Sequence, residues 1–452
     1  MSEPLHNELA PDSIEARDLR HLLHPNTNLG ELQRQGPAVH SEAKGVYLWD
    51  NHGKQYLEGM AGLWCTALGY GVEELADAAS EQLKKLSYSQ LFGGKTNEPS
   101  VLLAEKLMEI VPIEGGRVFF GLTGSDANDT QIKMMWYYHN LIGRPEKKKI
   151  ISRWTGYHGV TVASGSLTGL PPFHKAFDLP IQGILHTESP HYYREAREGE
   201  TEDQFTTRLA NSLSDLIEEE GPETVAAFIA EPVLGAGGVI VPQDDYFPRI
   251  REICDKYGII LIFDEVITGW GRTGSAFASQ EFGVTPDVMT MAKATTNGVV
   301  PMGVVAVKEE IYDAVMDSSP KGAVELFHGY TYSGHPVAAA AGLATLDIYE
   351  NENLFRKAED LAIYLEKSVH ELVNYPYVKD IRNIGLAAAI ELEPRDGAAG
   401  SRGFDVYCKC FEEGCLTRVT GDIIAIAPAL IAKREHVDRL VETLGKVLRL
   451  VD

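Results

Sequence analysis

Short, wholly apolar segments recur along the chain and alternate with segments of helical periodicity. The segments TVAAFIAEPV, GIILIFDEV and PMGVVAVK lack the polar alternation of a half-exposed strand and are typical of strands buried on both faces. In SVLLAEKLMEIV, by contrast, apolar residues recur every three or four positions, which indicates a helix. Strands that alternate with helices predict an α/β fold with a mostly parallel central sheet.

The chain length and a change in character near residue 336 indicate more than one domain. The chain has 452 residues, which is too long for a single ordinary core. After residue 336 a long helical stretch leads to the strand-like segments IGLAAAIEL and CLTRVTGDIIAIAPAL. We predict a large domain over residues 60–335 and a smaller, discontinuous α+β domain formed by residues 1–59 and 336–452.

Charge and cysteine content exclude several classes of function. The chain has 41 Lys and Arg against 65 Asp and Glu, and its net charge of −24 repels nucleic acids and anionic membranes. No apolar run approaches the length that spans a bilayer, and the N-terminal segment lacks the pattern of a secretory signal. The five cysteines indicate a reducing compartment, and Cys408, Cys410 and Cys415 lack the paired spacing of a zinc site, so no metal is predicted. These features predict a cytoplasmic protein.

The segment LIFDEVITGWGRTG ends an apolar strand in two adjacent carboxylates, Asp264 and Glu265. In a parallel sheet, ligands bind beyond the carboxyl ends of the strands, so a carboxylate at this position faces a binding site. Because neighbouring side chains of a strand point to opposite faces, we expect one of the two to meet the ligand and the other to cap or brace the backbone.

Two chemistries place an acidic residue at the end of an apolar strand. The first is the magnesium-binding strand of P-loop NTPases, and FGGKT at 92–96 has part of a phosphate-loop motif. That motif requires a glycine five residues before Gly94, where this chain has Ser89, so an NTPase is not predicted. The second is pyridoxal phosphate, whose ring nitrogen stays protonated beside a buried carboxylate. This cofactor also needs a lysine for its Schiff base, and Lys293 in DVMTMAKATTNG supplies one.

The segment LIFDEVITGWGRTG, followed by GVTPDVMTMAKATTNG, resembles the signature of the class III aminotransferases, pyridoxal-phosphate enzymes of fold type I. The similarity extends over roughly residues 40–450 and is greatest to the ω-amino acid and amine:pyruvate transaminases. The resemblance implies that Lys293 carries the cofactor and that Asp264 holds its ring nitrogen positive.

Further cofactor residues are predicted from a phosphate-binding turn and from the resemblance. In FFGLTGSDANDT, a turn with Gly124 and Ser125 leads into a predicted helix, whose first N–H groups bind anions. The family more often has Ser and Glu where this chain has Thr123 and Asp126. The resemblance implies four more contacts: a tyrosine stacked on the cofactor ring, a glutamate beside it, an aliphatic residue on its other face, and a threonine that binds the phosphate of the neighbouring subunit. These residues are Tyr157, Glu231, Val266 and Thr331.

The substrate pocket is predicted from the resemblance as well. In the amine:pyruvate branch an arginine of the small domain binds the substrate carboxylate, and Arg418 matches it; a guanidinium fits a carboxylate bidentately. Trp64, Phe92 and Tyr157 match positions that wall the pocket, and Ala236 is small where other members carry a larger residue. Aromatic walls and a small floor predict that bulky apolar amines are accepted.

The resemblance implies a ping-pong transamination through a Lys293 Schiff base. A primary amine or ω-amino acid is the expected donor, and a keto acid, pyruvate in this branch, is the expected acceptor. The same cofactor site serves aminomutases, decarboxylases and racemases, and other transaminases use 2-oxoglutarate, so these alternatives stay open. A non-enzymatic binding protein is disfavoured because Lys293 and Asp264 are both present. A homodimer with a shared active site is expected, and a tetramer stays open.

Overall fold

The computed structural model describes residues 9–452 of the chain. Within these residues the strands, β1 to β15 in chain order, are His40–Lys44, Tyr47–Asp50, Gln55–Glu58, Arg117–Gly121, Lys149–Arg153, Ile184–Thr187, Val225–Ala230, Ile260–Asp264, Val288–Met291, Gly303–Val307, Val378–Ile384, Ala387–Leu392, Cys415–Leu416, Arg418–Thr420 and Ile423–Ile426.

Helices connect most of these strands. The α-helices of the described residues are Ile14–His21, Leu29–Gln35, Glu73–Lys85, Glu98–Ile110, Gly124–Leu141, Val162–Leu167, Pro172–Lys175, Tyr192–Glu195, Glu202–Glu220, Tyr246–Tyr257, Ala278–Glu281, Glu309–Asp317, Pro336–Asn351, Leu354–His370, Ser401–Glu412 and Arg434–Leu448. Short 3₁₀ turns span Phe92–Gly94, Lys293–Thr296 and Glu371–Asn374, and a turn of unusual conformation spans Ala61–Trp64. Among residues 9–452 there is no helix with the length and apolar character needed to cross a membrane.

The central sheet has seven strands in the order β4-β10-β9-β8-β7-β5-β6. Strand β10 is antiparallel to both of its neighbours, β4 and β9, and the remaining four pairs of the sheet are parallel. All residues of β7, β8, β9 and β10 are buried, because helices cover both faces of the sheet. The predicted α/β fold with doubly buried strands is therefore confirmed.

Two four-stranded sheets lie outside the central one, in the orders β1-β2-β3-β13 and β11-β12-β15-β14. Strand β13, from the C-terminal part of the chain, pairs in parallel with β3, from the N-terminal part. The two ends of the chain thus share one sheet, as a discontinuous small domain requires. The division into residues 60–335 and residues 1–59 with 336–452 stays a prediction, and residues 1–8 of it lie outside the described part.

The long helical stretch expected after residue 336 is two helices. Pro336–Asn351 and Leu354–His370 are separated by Asn353, which adopts a left-handed conformation with φ of 51°. Asparagine tolerates this conformation better than most residues, so the chain can turn here and start a new helix. Both helices bury apolar faces in one core with the strands of the C-terminal sheet.

A network of charged side chains joins the C-terminal sheet to the segment after β6. Glu391, on β12, is buried and accepts hydrogen bonds from Arg382 Nη1 at 2.7 Å and from Arg194, and its Oε2 lies 3.4 Å from His191 Nε2. Burial acts to raise the pKa of Glu391, but the hydrogen bonds of His191 and Arg194 and the charge of Arg382 outweigh it and lower that pKa to about 2. Arg382 also donates from Nε to the Gly238 carbonyl at 2.9 Å. The network thereby connects strands β11 and β12 to the segment 191–194 after β6 and to the loop at Gly238 after β7.

Replacing Glu391 with Gln is expected to destabilise the fold by about 2 kcal/mol at pH 7, because Arg194 and Arg382 lose a buried carboxylate partner, while Arg382 keeps its ion pair with Asp380 Oδ2 at 2.6 Å. The Glu391 carboxylate makes its full contribution to the free energy of unfolding above the pKa of about 4.3 that it has in the unfolded chain. This contribution is lost as the pH falls towards the folded-state pKa of about 2. Urea unfolding at pH 7 and pH 2.5 measures both effects. Glu442→Gln, at an exposed position, is the control. Equal stability losses in the two variants would contradict this prediction.

Candidate active site

The predicted cofactor residues follow strands that end at one edge of the central sheet. These strands run in the same direction, so the loops after them meet beyond the same edge. Gly124 and Ser125 follow β4, Tyr157 follows β5, Glu231 follows β7, Asp264 ends β8 with Val266 after it, and Lys293 follows β9.

Asp264 is 3% exposed and is held by hydrogen bonds on both oxygens. His158 Nδ1 and Asn128 Nδ2 each lie 2.8 Å from Oδ2, and the Val266 N–H donates to Oδ1 at 3.2 Å. Asn128 is oriented in turn by the Thr290 hydroxyl, which donates to its Oδ1 at 3.0 Å. The carboxylate is therefore fixed in direction, and its Oδ1 meets only a backbone amide, so it can accept a further hydrogen bond.

Sequence reasoning missed His158 and Asn128. His158 adjoins Tyr157, and Asn128 lies on the helix that Gly124 and Ser125 begin, so their neighbourhood was indicated. Their contact with Asp264 depends on how β5, β8 and this helix pack together, which no local pattern contains.

Glu265 points away from Asp264 and braces the backbone, as expected for one of the two adjacent carboxylates. It is fully buried and accepts the N–H groups of Ala278 and Ser279 at 3.1 and 2.7 Å. Burial raises the pKa of Glu265 to about 7. The side chain thus caps the helix Ala278–Glu281 and confirms the expectation that one member of the pair has a structural role.

Lys293 is surrounded by protein but remains partly exposed beyond the carboxyl ends of the strands, in the region that we call the cleft. Its residue has a positive φ of 48°, and its Nζ lies 5.2 Å from the centre of the Trp64 ring. Burial lowers the pKa of Lys293, although Cys65 and Asp264 nearby act to raise it. Within residues 9–452 its amine makes no hydrogen bond and no ion pair. A desolvated amine of this kind loses its proton readily and is suited to form an imine.

The turn with Gly124 and Ser125 begins the helix Gly124–Leu141. Thr123 and Asp126 form a capping box, with the Thr123 N–H donating to Asp126 Oδ1 at 2.9 Å and the Asp126 N–H donating to Thr123 Oγ1 at 3.2 Å. The departure from the family's Ser and Glu therefore leaves the helix start capped. A Cβ atom on Gly124 would lie 3.1 Å from the Val266 side chain, so glycine allows the close approach of these two loops.

The predicted pocket residues Trp64, Tyr157, Ala236 and Arg418 lie around the same cleft. The guanidinium carbon of Arg418 lies 5.0 Å from the centre of the Trp64 ring, and its Nε is buried without a hydrogen-bond partner among the described residues. The Tyr157 N–H donates to Glu231 Oε1 at 2.7 Å, and burial raises the pKa of Glu231 to about 7. The Thr420 hydroxyl, on the same strand as Arg418, donates to the Ala236 carbonyl at 3.0 Å.

Phe92 and Thr331 form a separate group on the surface. Phe92 is 47% exposed and packs against Gly329, where a Cβ atom would lie 2.6 Å from its ring. The Tyr88 hydroxyl donates to the Thr331 carbonyl at 2.8 Å. The two segments therefore contact each other, but the predicted roles of Phe92 and Thr331 stay predictions.

These residues fit pyridoxal phosphate in three respects. Asp264 is a buried carboxylate with a hydrogen-bond position left for a protonated ring nitrogen. Lys293 is an unpaired amine in the same cleft, suited to an aldehyde. The capped helix start at Gly124 and Ser125 offers backbone N–H groups to a phosphate.

The family described as Aminotransferase class-III matches residues 31–448. The chain belongs to the class-III aminotransferases. This aminotransferase uses pyridoxal phosphate and has the fold type I architecture.

Similar proteins cover nearly the whole aminotransferase chain. Gamma-aminobutyrate transaminase 1, mitochondrial, of Oryza sativa subsp. indica is 44% identical over 423 residues, which are 92% of this chain and 82% of that protein. Putrescine–pyruvate aminotransferase of Pseudomonas aeruginosa is 42% identical over 434 residues, 95% and 94% of the two chains. The crystal structure of the omega transaminase from Pseudomonas jessenii in complex with PMP has a TM-score of 0.94 and 44% identity and covers 97% of this chain and 98% of that one.

Replacing Gly124 with Ala is expected to weaken pyridoxal phosphate binding about tenfold, because the added methyl group meets Val266 in a close-packed turn. Titration of the apoenzyme with pyridoxal phosphate measures the change in Kd. In a Val266→Ala background the same substitution should have a smaller effect, since the clash is relieved. A penalty for Gly124→Ala of the same size in both backgrounds would contradict the steric explanation.

Proposed function

We propose that this aminotransferase moves the amino group of a primary amine or ω-amino acid to pyruvate. The observation that carries the proposal is the position of Arg418. Its guanidinium lies on the Trp64 ring, whose centre is also 5.2 Å from the Lys293 amine, and within residues 9–452 it forms no salt bridge. An unpaired, partly buried guanidinium in the cleft of the reactive lysine is suited to bind a small carboxylate.

Two similar proteins support this choice of substrates. One carries putrescine and pyruvate in its name and the other carries gamma-aminobutyrate, so both have donors with an amino group on a terminal carbon. The carbon chain of such a donor is uncharged and can pack against the aromatic rings of Trp64 and Tyr157, which line the cleft.

Different residues of the chain have different roles in the proposed reaction. When bound, pyridoxal phosphate supplies an electron sink for the carbon that bears the amino group. Lys293 would attach the cofactor and, once released by the substrate amine, move a proton at that carbon. Asp264, fixed by His158 and Asn128, would hold the ring nitrogen positive.

Arg418 is suited to bind the carboxylate of any substrate that has one. In the first half-reaction, a primary amine or ω-amino acid gives up its amino group and leaves as an aldehyde or ketone. In the second, pyruvate enters with its carboxylate on Arg418 and leaves as alanine. The contact of the Thr420 hydroxyl with the Ala236 carbonyl links the strand of Arg418 to the pocket floor.

We further propose a homodimer in which Phe92 and Thr331 contribute to the partner subunit's site, and a cytoplasmic location. In support, Tyr88 and Tyr332, which are 43% and 53% exposed, contact each other beside Thr331, and Phe92 is 47% exposed. Exposed aromatic side chains that lie together are typical of an interface. All five cysteines are free, as in a reducing compartment.

A panel of amines with pyruvate tests the proposal. We expect alanine formation from β-alanine, taurine, a putrescine-like diamine or an aryl-alkyl amine, and a loss of about 10³-fold or more in Lys293→Ala, which lacks the proton-transferring amine. The purified Lys293→Ala protein should also lack the absorbance band of lysine-bound cofactor that shifts when alanine is added to the wild type. Lys95→Ala, at an exposed lysine, is the control. Turnover of a single substrate without any keto acid would instead identify a mutase, decarboxylase or racemase.

Replacing Arg418 with Ala is expected to lower kcat/KM for pyruvate by about 100-fold, the effect of losing charge-assisted hydrogen bonds to a carboxylate. An uncharged acceptor such as propanal should lose less than threefold, since it has no carboxylate to bind. The ratio of the two kcat/KM values is the measurement, and 2-oxoglutarate serves as a third acceptor. Equal losses for pyruvate and propanal would contradict the carboxylate role of Arg418.

A further inference from the structure

Trp64 lies in a backbone turn that has a left-handed helical conformation. Ala61, Gly62, Leu63 and Trp64 all have positive φ, with values of 46°, 53°, 67° and 61°. The turn is closed by the Trp64 N–H, which donates to the Met60 carbonyl at 2.8 Å. A left-handed helical conformation costs roughly 1–2 kcal/mol for each residue other than glycine, so this turn requires support from the surrounding structure.

Glu58 supplies support from one side of the turn. Its buried carboxylate accepts the Met60 N–H at 2.8 Å and also accepts the Gly62 N–H, so both hydrogen bonds come from the turn itself. The Tyr70 hydroxyl donates to Glu58 Oε2 at 3.4 Å, and a Cβ atom on Gly62 would lie 2.7 Å from that hydroxyl. Burial raises the pKa of Glu58. The turn is therefore enclosed by one carboxylate and one phenol.

Asn297 holds the segment that follows the turn. The Leu68 N–H donates to Asn297 Oδ1 at 2.8 Å, and Asn297 Nδ2 donates to the Gly69 carbonyl at 2.9 Å. Asn297 ends the 3₁₀ turn that begins at Lys293. The segment after Trp64 is thus attached to the segment that carries the reactive lysine.

The turn places the indole of Trp64 beside two basic side chains. The Lys293 amine lies 5.2 Å and the Arg418 guanidinium carbon 5.0 Å from the centre of the Trp64 ring, and the guanidinium is within the range of cation–π attraction. A shift of the left-handed turn would move this ring away from the Lys293 amine and the Arg418 guanidinium, and with it the predicted wall of the pocket.

We propose that Glu58 is a positioning residue which, with Tyr70, holds the left-handed turn and thereby sets the size of the amine that the pocket accepts. The inference rests on the proposed transaminase function for its substrate readout only. The placement of Trp64 by Glu58 is a property of the chain itself and is measurable without cofactor or substrate.

The first test uses the apoenzyme. Glu58→Gln keeps the size of the side chain but replaces one accepting oxygen with an amide nitrogen. The chain has five tryptophans, so the Trp64 signal is the difference between a protein and its Trp64→Phe form. We expect acrylamide quenching of this difference signal to rise about twofold, together with a loss of its near-ultraviolet circular dichroism. In a Trp64→Phe background, Glu58→Gln should change neither signal. Tyr70→Phe, which removes one hydroxyl, should give a smaller change of the same kind and serves as the second variant if Glu58→Gln fails to fold. Glu42→Gln, at an exposed position nearby, is the control.

The second test uses the holoenzyme with pyruvate and two donors, propylamine and 1-phenylethylamine. For Glu58→Gln we expect the ratio of kcat/KM for the bulky donor to that for the small donor to rise about tenfold, mainly through KM. Because Glu58 acts through Trp64, Glu58→Gln should leave the ratio unchanged in the Trp64→Phe background. Glu58→Asp should restore part of the wild-type ratio.

Two results would overturn the proposal. One is an equal loss of kcat/KM for both donors with unchanged tryptophan signals, and the other is additivity of the Glu58 and Trp64 substitutions. A failure of the transaminase function itself would appear separately, as absence of alanine formation by the wild-type enzyme, and would leave the apoenzyme test intact.

Discussion

A buried carboxylate at the end of a buried strand is the constraint on which the site depends. Removing a charge from water is costly unless hydrogen bonds or an opposite charge compensate. Asp264 receives its compensation from His158, Asn128 and a backbone amide, which come from three different segments. The parallel sheet brings these segments together because its strands end at one edge. The same edge carries Lys293, so the fold assembles an acid and an amine in one cleft.

Near Asp264 and Lys293 the backbone adopts left-handed conformations that residues other than glycine rarely adopt. Lys293 and Trp64 both have positive φ, with values of 48° and 61°. Glu58 accepts a hydrogen bond at the start of the turn with Trp64, and Asn297 binds the segment that follows the turn at Leu68. Such strain persists only where neighbouring contacts over-determine the backbone, and it clusters where side chains must be aimed. We therefore interpret the strained turn as a device that positions Trp64 in the pocket, and not as a source of stability for the fold.

Much of this architecture is predictable from local patterns. Apolar runs identified the central strands, and the paired carboxylates at the end of β8 indicated one functional and one bracing residue, which Asp264 and Glu265 are in position to be. The break at Asn353 was not predicted, because a single residue decides between one helix and two. The partners of Asp264, the support of Trp64 and the network at Glu391 were not predicted either, since each joins residues far apart in the chain.

The sequence by itself indicated the fold class through the alternation of apolar and helical segments, whose periodicity is set by the backbone. The resemblance of its motifs to the class III aminotransferases indicated the family, the cofactor and the predicted roles of Asp264 and Lys293. Only the tertiary structure decided how Asp264 is oriented, that Lys293 and Arg418 both lie beside the Trp64 ring, and which side chains hold the left-handed turn. The physical reason is that these features are contacts between distant segments, and their energies depend on distances of a few ångströms that arise only when the strands and loops are packed.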